Sequence, residues 1–580
     1  MTDKQQKNIS KLRSKKWLDN GDFRSFNHRS RMMQMGYELS DWDNKPIIGI
    51  FSTWSDINPC HHHFKERMED VKRGVLQSGG LPLEIPVMSL FESMNKPSAL
   101  LYRNLLAMEV EELIRSYPID GAILMGGCDK TTPGLLLGAI SVDVPSIFIP
   151  AGPMLNGNYR GDVLGSGSDA FKYWDEYRMG NINDCELSGI CAGIDRSAGT
   201  CMTMGTASTM TSVVDAMGVT IPGASSIPAV DTNHMRMCAQ AGRKIVDMVW
   251  KDIKLGDILT KESFENGITV TMALGGSTNA IIHLIAMAKR LNIDITMDDF
   301  DRISKRVPVL ANIRPSGDKY LMEDFYYAGG LIALLKRLEN HLNLDSLTVT
   351  EKSIREVISG AEIFIDDVIR AIDNPVYKEG SLAVLKGNLS PDGSVMKVSA
   401  CNPKFLNHSG RAIVFDNYHS LKEFAEDEDA DVTENDVIVL RNAGPKGGPG
   451  MPEWGMLPIP KKLLKEGVDD VLRISDARMS GTSYGSCVLH VAPESYVGGP
   501  LALIKTGDVI SIDVETRSLN VNLSTEELDS RLQEWKEPKP KMERGYGWMY
   551  LQHISQANEG CDFDFLETSF GKPVSEPEIN

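Results

Sequence analysis

The feature that most limits what this chain can fold into is a change of texture near residue 377. Up to that point short β-branched runs alternate with amphipathic helical segments; beyond it short strands follow one another with turn clusters between them. Residues 46–51 read as a buried strand, brief, β-branched and flanked by turn residues. Residues 65–78 read as a helix because Met68, Val71, Val75 and Leu76 fall on one face, and Gly79 and Gly80 end it. Further strands are expected at 83–87, 121–125 and 146–149, with a helix over 100–114. Such alternation implies parallel strands joined by helical crossovers. Residues 1–379 are therefore expected to form an α/β domain with a parallel sheet.

Beyond the change, strands are expected at 382–385, 411–415, 436–441, 471–474, 487–491, 509–513 and 519–523. Turn clusters such as Ser390-Pro-Asp-Gly393 and Gly444-Pro-Lys-Gly-Gly-Pro-Gly450 separate them. Many short strands with little helix between them indicate a barrel or a sandwich. Residues 380–580 are accordingly expected to form a β-barrel-like C-terminal domain, with the boundary near 378–380. A chain of 580 residues is too long for one ordinary core, which agrees with two domains.

The formal net charge is −18, spread along the chain. A field of that sign repels nucleic acid and anionic membrane, so neither is expected as a partner. It repels an anionic substrate as well, so an acid-binding site must carry its own positive charge, which a bound metal would supply. No apolar run is long enough to cross a bilayer. Residues 1–17 are basic and polar without an apolar segment, which is not the pattern of a secretory signal; an arm packing on a partner subunit is the alternative. Nine cysteines without such a signal argue for reduced thiols and a cytoplasmic setting, and the odd number fits poorly with a full disulfide framework.

Reactive residues sit just beyond expected strands. Thr53-Trp-Ser-Asp-Ile-Asn-Pro-Cys60 follows the first strand, Glu92 the second, and Gly126-Gly-Cys-Asp-Lys-Thr-Thr-Pro133 the third. In an open parallel sheet ligands bind beyond the carboxyl ends of the strands, so Cys60, Glu92, Cys128, Asp129 and Lys130 converge if these strands are neighbours. Cys201 lies in a small, hydroxyl-rich stretch before a helical run, which suits a ligand-facing helix start. None of the three cysteines belongs to a C-x-x-C pair, and taken singly each reads as a buried apolar thiol. Glu92 and Asp129 are oxygen donors of the kind hard divalent cations choose, yet each alone reads as a surface charge or a helix cap. Lys130 would ordinarily be the ion-pair partner of Asp129, and the His61-His62-His63 run reads as solvated. In the second domain Glu453 ends the glycine–proline loop 444–454, which reads either as a long turn or as backbone brought close to a ligand. Ser475-Asp-Ala-Arg-Met-Ser-Gly-Thr482 has the same character.

Taken together these segments resemble the IlvD/EDD family of dehydratases, which includes dihydroxy-acid dehydratase, phosphogluconate dehydratase and the aldonic-acid dehydratases. The matching stretches are Ser55-Asp-Ile-Asn-Pro-Cys60, Gly127-Cys-Asp-Lys-Thr-Thr-Pro133, Gly199-Thr-Cys-Met-Thr-Met-Gly-Thr-Ala-Ser-Thr209, Gly275-Gly-Ser-Thr-Asn-Ala280, the loop 444–453 and Asp476-Ala-Arg-Met-Ser-Gly-Thr482. They stand in family order over residues 46–500.

The resemblance implies that Cys60, Cys128 and Cys201 hold an iron–sulfur cluster, leaving one iron without a protein sulfur and open as a Lewis acid. It implies a magnesium site on Glu92, Asp129, Lys130 and Glu453, with Lys130 carbamylated, because an ammonium has no lone pair to offer. Ser480 matches the proton-abstracting base and Thr482 a carboxylate-binding position. The implied reaction is loss of water from a 2,3-dihydroxy acid, giving a 2-keto-3-deoxy acid. Within the family the chain looks most like the sugar-acid, L-arabinonate-type dehydratases, on Leu12-Arg-Ser-Lys-Lys-Trp17, Tyr102-Arg-Asn104, Gly152-Pro-Met-Leu-Asn-Gly157 and the segment 553–566. That likeness implies a 2Fe-2S cluster rather than 4Fe-4S, a small anionic polyhydroxy acid such as arabinonate as substrate, and a homodimer or homotetramer. The alternative is a dihydroxy-acid dehydratase of valine and isoleucine synthesis, which needs a more apolar pocket. His61 and Met202 replace family asparagines after the first and third cysteines, and Cys561 replaces a small residue of the tail.

Overall fold

The computed structural model describes residues 9–566 and residue 578. Four parallel strands form the first sheet: β1 (Ile47–Ser52), β2 (Leu81–Pro86), β3 (Gly121–Gly126) and β4 (Ser146–Pro150), in the order β2-β1-β3-β4. Each coincides with an expected strand within two or three residues. β1 and β3 are buried along their whole length, which is why they read as unbroken apolar runs rather than alternating ones. The chain leaves β1 for β2 on one side and returns to place β3 on the other. The gap between β1 and β3 is therefore the point where strand order reverses, the usual place for a ligand.

The crossovers are helical. Phe64–Gln77 joins β1 to β2, Leu100–Ser116 leads from β2 to β3, and Thr131–Val142 joins β3 to β4. The expected alternation stops at β4. A two-stranded antiparallel hairpin follows, β5 (Gly157–Tyr159) and β6 (Asp162–Leu164), and then helices through Ile358. Among them Thr206–Ala216 is buried at all eleven positions. Its small and hydroxyl side chains let neighbouring helices approach on every side, so it carries no one-sided apolar stripe for sequence reading to detect.

The second domain is an eight-stranded, nearly closed sheet of β7 (Ala383–Leu385), β8 (Gly393–Met396), β9 (Asn407–Phe415), β10 (Val437–Leu440), β11 (Leu472–Ser475), β12 (Cys487–Ala492), β13 (Val509–Asp513) and β14 (Ser518–Val521). Its order is β14-β13-β9-β10-β11-β12-β8-β7, and a bridge between Lys386 and Ser518 joins the two edges. Seven of the eight strands match expectations. β8 is the exception: the turn Ser390-Pro-Asp-Gly393 connects it to β7 as a hairpin, and its four short residues gave too brief a signal. β9 to β12 pair in parallel, so the barrel is not the plain antiparallel meander that closely spaced strands suggest.

Within the first domain, residues 309 and 311 pair with 377 and 369, just before the boundary. The segment after the barrel returns to the first domain. Arg290 and Asp562, both fully buried, form a two-pronged ion pair at 2.7 and 2.9 Å, and Arg103 donates to the Gly560 and Cys561 carbonyls. Leu100, Leu101, Ile282, Met451, Tyr550 and Phe563 form one apolar cluster across the junction. Residues 1–8 of the basic arm lie outside the described residues. From Ile9 the arm packs on its own domain, with Arg13 donating to the Ile114 and Ile119 carbonyls and the Ser14 amide to Asp120. No helix among the described residues is long and apolar enough to cross a membrane.

Candidate active site

A cavity of about 490 Å³ lies between the carboxyl ends of the first sheet and two barrel loops. Cys60, Cys128, Cys201, Glu92, Asp129, Glu453, Ser480 and Thr482 all line it. Lys130 sits just beneath the wall, fully buried. These candidate residues are thus brought to one place, Cys60, Cys128 and Asp129 because β1 and β3 are neighbours.

The thiol side is built around His61. Its Nε2 accepts a hydrogen bond from the Cys128 amide at 3.0 Å, and its Nδ1 lies 3.1 Å from the Thr53 carbonyl. One ring thereby ties the loop after β1 to the loop after β3. Burial lowers the pKa of His61 to about 4, so the ring is neutral, as an acceptor at Nε2 requires. This corrects the solvated reading of the histidine run: His61 and His63 are buried and only His62 is exposed, because the run closes a tight turn into the helix rather than lying along its outer face. The hydrogen-bonded Cys128 thiol and then burial push Cys60 well above the usual thiol range, and burial raises Cys201. Met202 is buried and its sulfur accepts from the Ser166 amide at 2.8 Å, closing the wall behind Cys201. All nine cysteines are free, and only these three line the cavity.

Glu92, Asp129 and Glu453 can place one oxygen each within 4.8 Å of one another. Lys130 Nζ lies 3.3 Å from Glu92 and 3.7 Å from Asp129, yet it has no properly aimed hydrogen bond among the described residues. Arg478 crosses the domain junction and is fully buried. It donates to the Met451 carbonyl at 2.8 Å, to Glu453 at 2.9 Å and to Ser98 at 2.9 Å, and stands 3.4 Å from Glu92. Burial alone would raise the pKa of Glu92, but Lys130 and Arg478 outweigh it and hold the group at about 2. Burial and the charge of Glu92 push Glu453 up to about 7. Two carboxylates within 4.8 Å of each other and unequal in protonation are what a cation between them would level.

The barrel loops are held as firmly. Asp476 accepts from the Ala443 amide at 3.0 Å and the Ser495 amide at 2.9 Å, which locks the two loops together. Asn279 Nδ2 donates to Glu453 and to the Met479 carbonyl. Ser480 Oγ is 2.8 Å from the Thr482 hydroxyl and accepts from the Thr482 amide at 3.3 Å. At Gly481 a Cβ would lie 2.6 Å from that of Ser277, so the close approach expected of this glycine is real. Sequence reasoning quoted the motifs that contain Arg478 and Asn279 but gave neither a part. A buried cation or amide inside a motif otherwise read for its serine was the signal available.

A parallel sheet with loops at its switch point thus faces a barrel across a cavity lined by thiols and carboxylates. The chain matches the N-terminal model of the dihydroxy-acid/6-phosphogluconate dehydratases over residues 45–357 and their C-terminal model over 367–561, and it belongs to that family. It is 52% identical to the 6-deoxy-6-sulfo-D-gluconate dehydratase of Pseudomonas putida over 577 residues, 99% of each chain. It is 46% identical to the L-arabinonate dehydratase of Rhizobium leguminosarum over 566 residues, 97% of this chain and 98% of that one. With the dihydroxy-acid dehydratase of Thermodesulfovibrio yellowstonii the figure is 39% over 540 residues, 92% of this chain and 97% of the other.

Proposed function

We propose that this protein is a hydro-lyase that converts an aldonic acid, a pentonate such as arabinonate, to the 2-keto-3-deoxy acid. The observation that carries the reading is the cavity itself, with three thiols on one wall, three carboxylates beside a buried lysine, and a serine facing them from the barrel. The similarity to the gluconate-type and arabinonate dehydratases supports a sugar acid over the more distant branched dihydroxy acids. So does the rest of the cavity lining, where Ser93, Lys96, Ser166, Asp195 and Ser197 offer partners for hydroxyl groups.

The residues fit the two groups that the family resemblance implies. The raised thiols of Cys60 and Cys201 stay protonated until a metal takes the place of the proton, and the Lys130 amine, set against Glu92 and Asp129 without an aimed hydrogen bond among the described residues, suits a carbamate oxygen ligand. An iron–sulfur cluster on Cys60, Cys128 and Cys201, 2Fe-2S in preference to 4Fe-4S, would supply a Lewis acid for the departing hydroxyl, and Mg²⁺ on Glu92, Asp129, carbamylated Lys130 and Glu453 would supply positive charge for the substrate carboxylate and C2 hydroxyl. The chain's own part is proton transfer. Ser480 Oγ as alkoxide removes the C2 proton; the electron pair moves into the C2–C3 bond as the C3–O bond breaks, the departing hydroxide takes the proton from Ser480 to leave as water and restore the alkoxide, and the enol tautomerises to the keto acid. Thr482 binds the substrate carboxylate and, through its amide, accompanies the charge on Ser480.

The test is turnover by anaerobically purified holoenzyme against pentonates, hexonates and 2,3-dihydroxyisovalerate. Preference for a sugar acid is the expected result, and faster turnover of dihydroxyisovalerate would overturn the substrate reading. Ser480→Ala should keep iron, magnesium and fold and lose roughly a hundredfold or more in turnover. Reduced thiols fit a cytoplasmic location. Phe23, Phe26 and Met33 stand exposed on the helix Phe23–Gln34 and Met35 just after it, which favours a homodimer or homotetramer built partly through this arm. Light scattering that returned the mass of one 64.0 kDa chain at micromolar concentration would overturn that assembly.

A further inference from the structure

Lys397 follows β8 in the barrel wall and is completely buried. It makes no ion pair among the described residues, and burial with no compensating charge lowers its amine to about 7. A lysine buried without a counter-ion is costly, so its one hydrogen bond is informative. Nζ donates to the Gly481 carbonyl at 3.0 Å. That carbonyl and the Thr482 amide belong to the same peptide unit, and the Thr482 N–H is the one donated to Ser480 Oγ at 3.3 Å. The peptide is conjugated, so donation to its oxygen draws electron density from its nitrogen and makes the N–H a better donor. On the other face Gly481 lies against Ser277 and the Thr206 amide, close enough that a Cβ would come within 2.6 and 2.8 Å of them, so the peptide is gripped from both sides.

We propose that Lys397 is a positioning residue for Ser480: through the Gly481–Thr482 peptide it holds and strengthens the N–H that faces the serine oxygen when that oxygen carries negative charge. The inference rests on Ser480 acting as the base. It assigns work to a side chain outside the cavity, one that touches neither substrate nor cofactor. The chain of contacts is short and continuous: ammonium to carbonyl oxygen, amide hydrogen to serine oxygen. An apolar side chain of similar length would fill the same space and leave the peptide unpolarised.

Lys397→Met, Lys397→Gln and Ser480→Ala holoenzymes would be compared for kcat, KM, exchange of the substrate C2 hydrogen with solvent deuterium, and the pH dependence of kcat. For Lys397→Met the expected result is a kcat about tenfold or more lower with KM within about twofold, unchanged iron and magnesium, and a thermal midpoint no lower than the parent's. The pH at which kcat climbs should move upward by about one unit, because the serine is harder to deprotonate. Lys397→Gln keeps a neutral donor and should fall between the two. Unchanged kcat in Lys397→Met, or a loss of kcat that follows loss of iron without moving the pH profile, overturns the proposal. If Lys397→Met does not yield folded holoenzyme, full kcat and an unmoved profile in Lys397→Gln overturn it equally. The two readings separate in the same assay: C2 exchange surviving in Ser480→Ala removes the base role, whereas an inert Ser480→Ala beside an unaffected Lys397→Met removes only the role of Lys397.

Discussion

The loops after β1 and β3 bring Cys60, Cys128 and Asp129 to the cavity from the ends of two adjacent, fully buried parallel strands. The barrel loops 443–454 and 475–482 reach the same cavity from farther away, and long-range hydrogen bonds through Asp476, Arg478 and Asn279 fix them there. One side of the site is therefore placed by secondary structure and the other by side chains. Changes on the sheet side should cost the proposed iron–sulfur cluster, whereas changes on the barrel side should cost chemistry, docking or the Glu453 metal ligand while leaving the iron in place.

The sharpest way to break this comparison is Cys128→Ser, which should bleach the visible spectrum, lower bound iron and abolish turnover while the chain stays folded. Cys185→Ser, on an exposed helical position, should leave colour and iron unchanged; equal spectra for the two variants would remove Cys128 from the ligand set. Arg478→Lys tests the barrel side. A lysine cannot span Glu453, Ser98 and the Met451 carbonyl at once, so turnover should fall by roughly ten- to a hundredfold with iron retained. Iron lost in step with activity would show that the two sides are not separable.

The two sides should also differ in how pH acts on stability. Glu494 braces the barrel loop by accepting from the Lys446 and Gly447 amides, and burial pushes it up to about 7. The folded protein then holds a proton that the unfolded chain releases near its ordinary value of 4.5. Stability from this group is complete below that value and is lost as the pH rises through about 7, an effect of at most ~3 kcal/mol. Denaturation of Glu494→Gln between about pH 5 and about pH 8 should lack this decline relative to the parent. His61 carries the opposite sign: held at about 4 against an ordinary 6.5, it stabilises the fold above 6.5, and that contribution is lost as the pH falls through about 4. The smallest expected effect is at the docking surface. Gly450 has a φ of +83°, and a Cβ there would lie 2.7 Å from the Leu101 amide nitrogen, so Gly450→Ala should cost about 2 kcal/mol in chemical denaturation. A loss below about 0.5 kcal/mol would mean that the loop has room to shift.

The sheet side was legible because its signals are local. A buried parallel strand is a short β-branched run, and a reactive residue just past its end lies at the sheet's ligand-binding edge. Cys60 and Cys128 could therefore be expected to meet once β1 and β3 were taken as neighbours. The barrel side was legible only as motifs. Nothing in Asp476-Ala-Arg-Met-Ser-Gly-Thr482 says that Arg478 will bridge Glu453 towards Glu92, residues 25 and 386 positions away in the chain. The burial of His61 and His63 was equally hidden, since adjacent histidines at a turn read as solvated until the loop after β3 supplies an amide for His61 to accept.

By itself the sequence determined the two-domain α/β and barrel-like architecture, the family, and the residue types gathered at the site. These follow from periodicity, turn chemistry and motif order, all of which act over a few residues or a few turns. Only the tertiary structure decided that the strand–helix alternation ends at β4, that β8 completes the barrel, and that Lys397 lies behind the serine loop. Each depends on which distant segments exclude water from one another. A buried amine with one carbonyl partner is produced by packing between elements, and no local pattern records it.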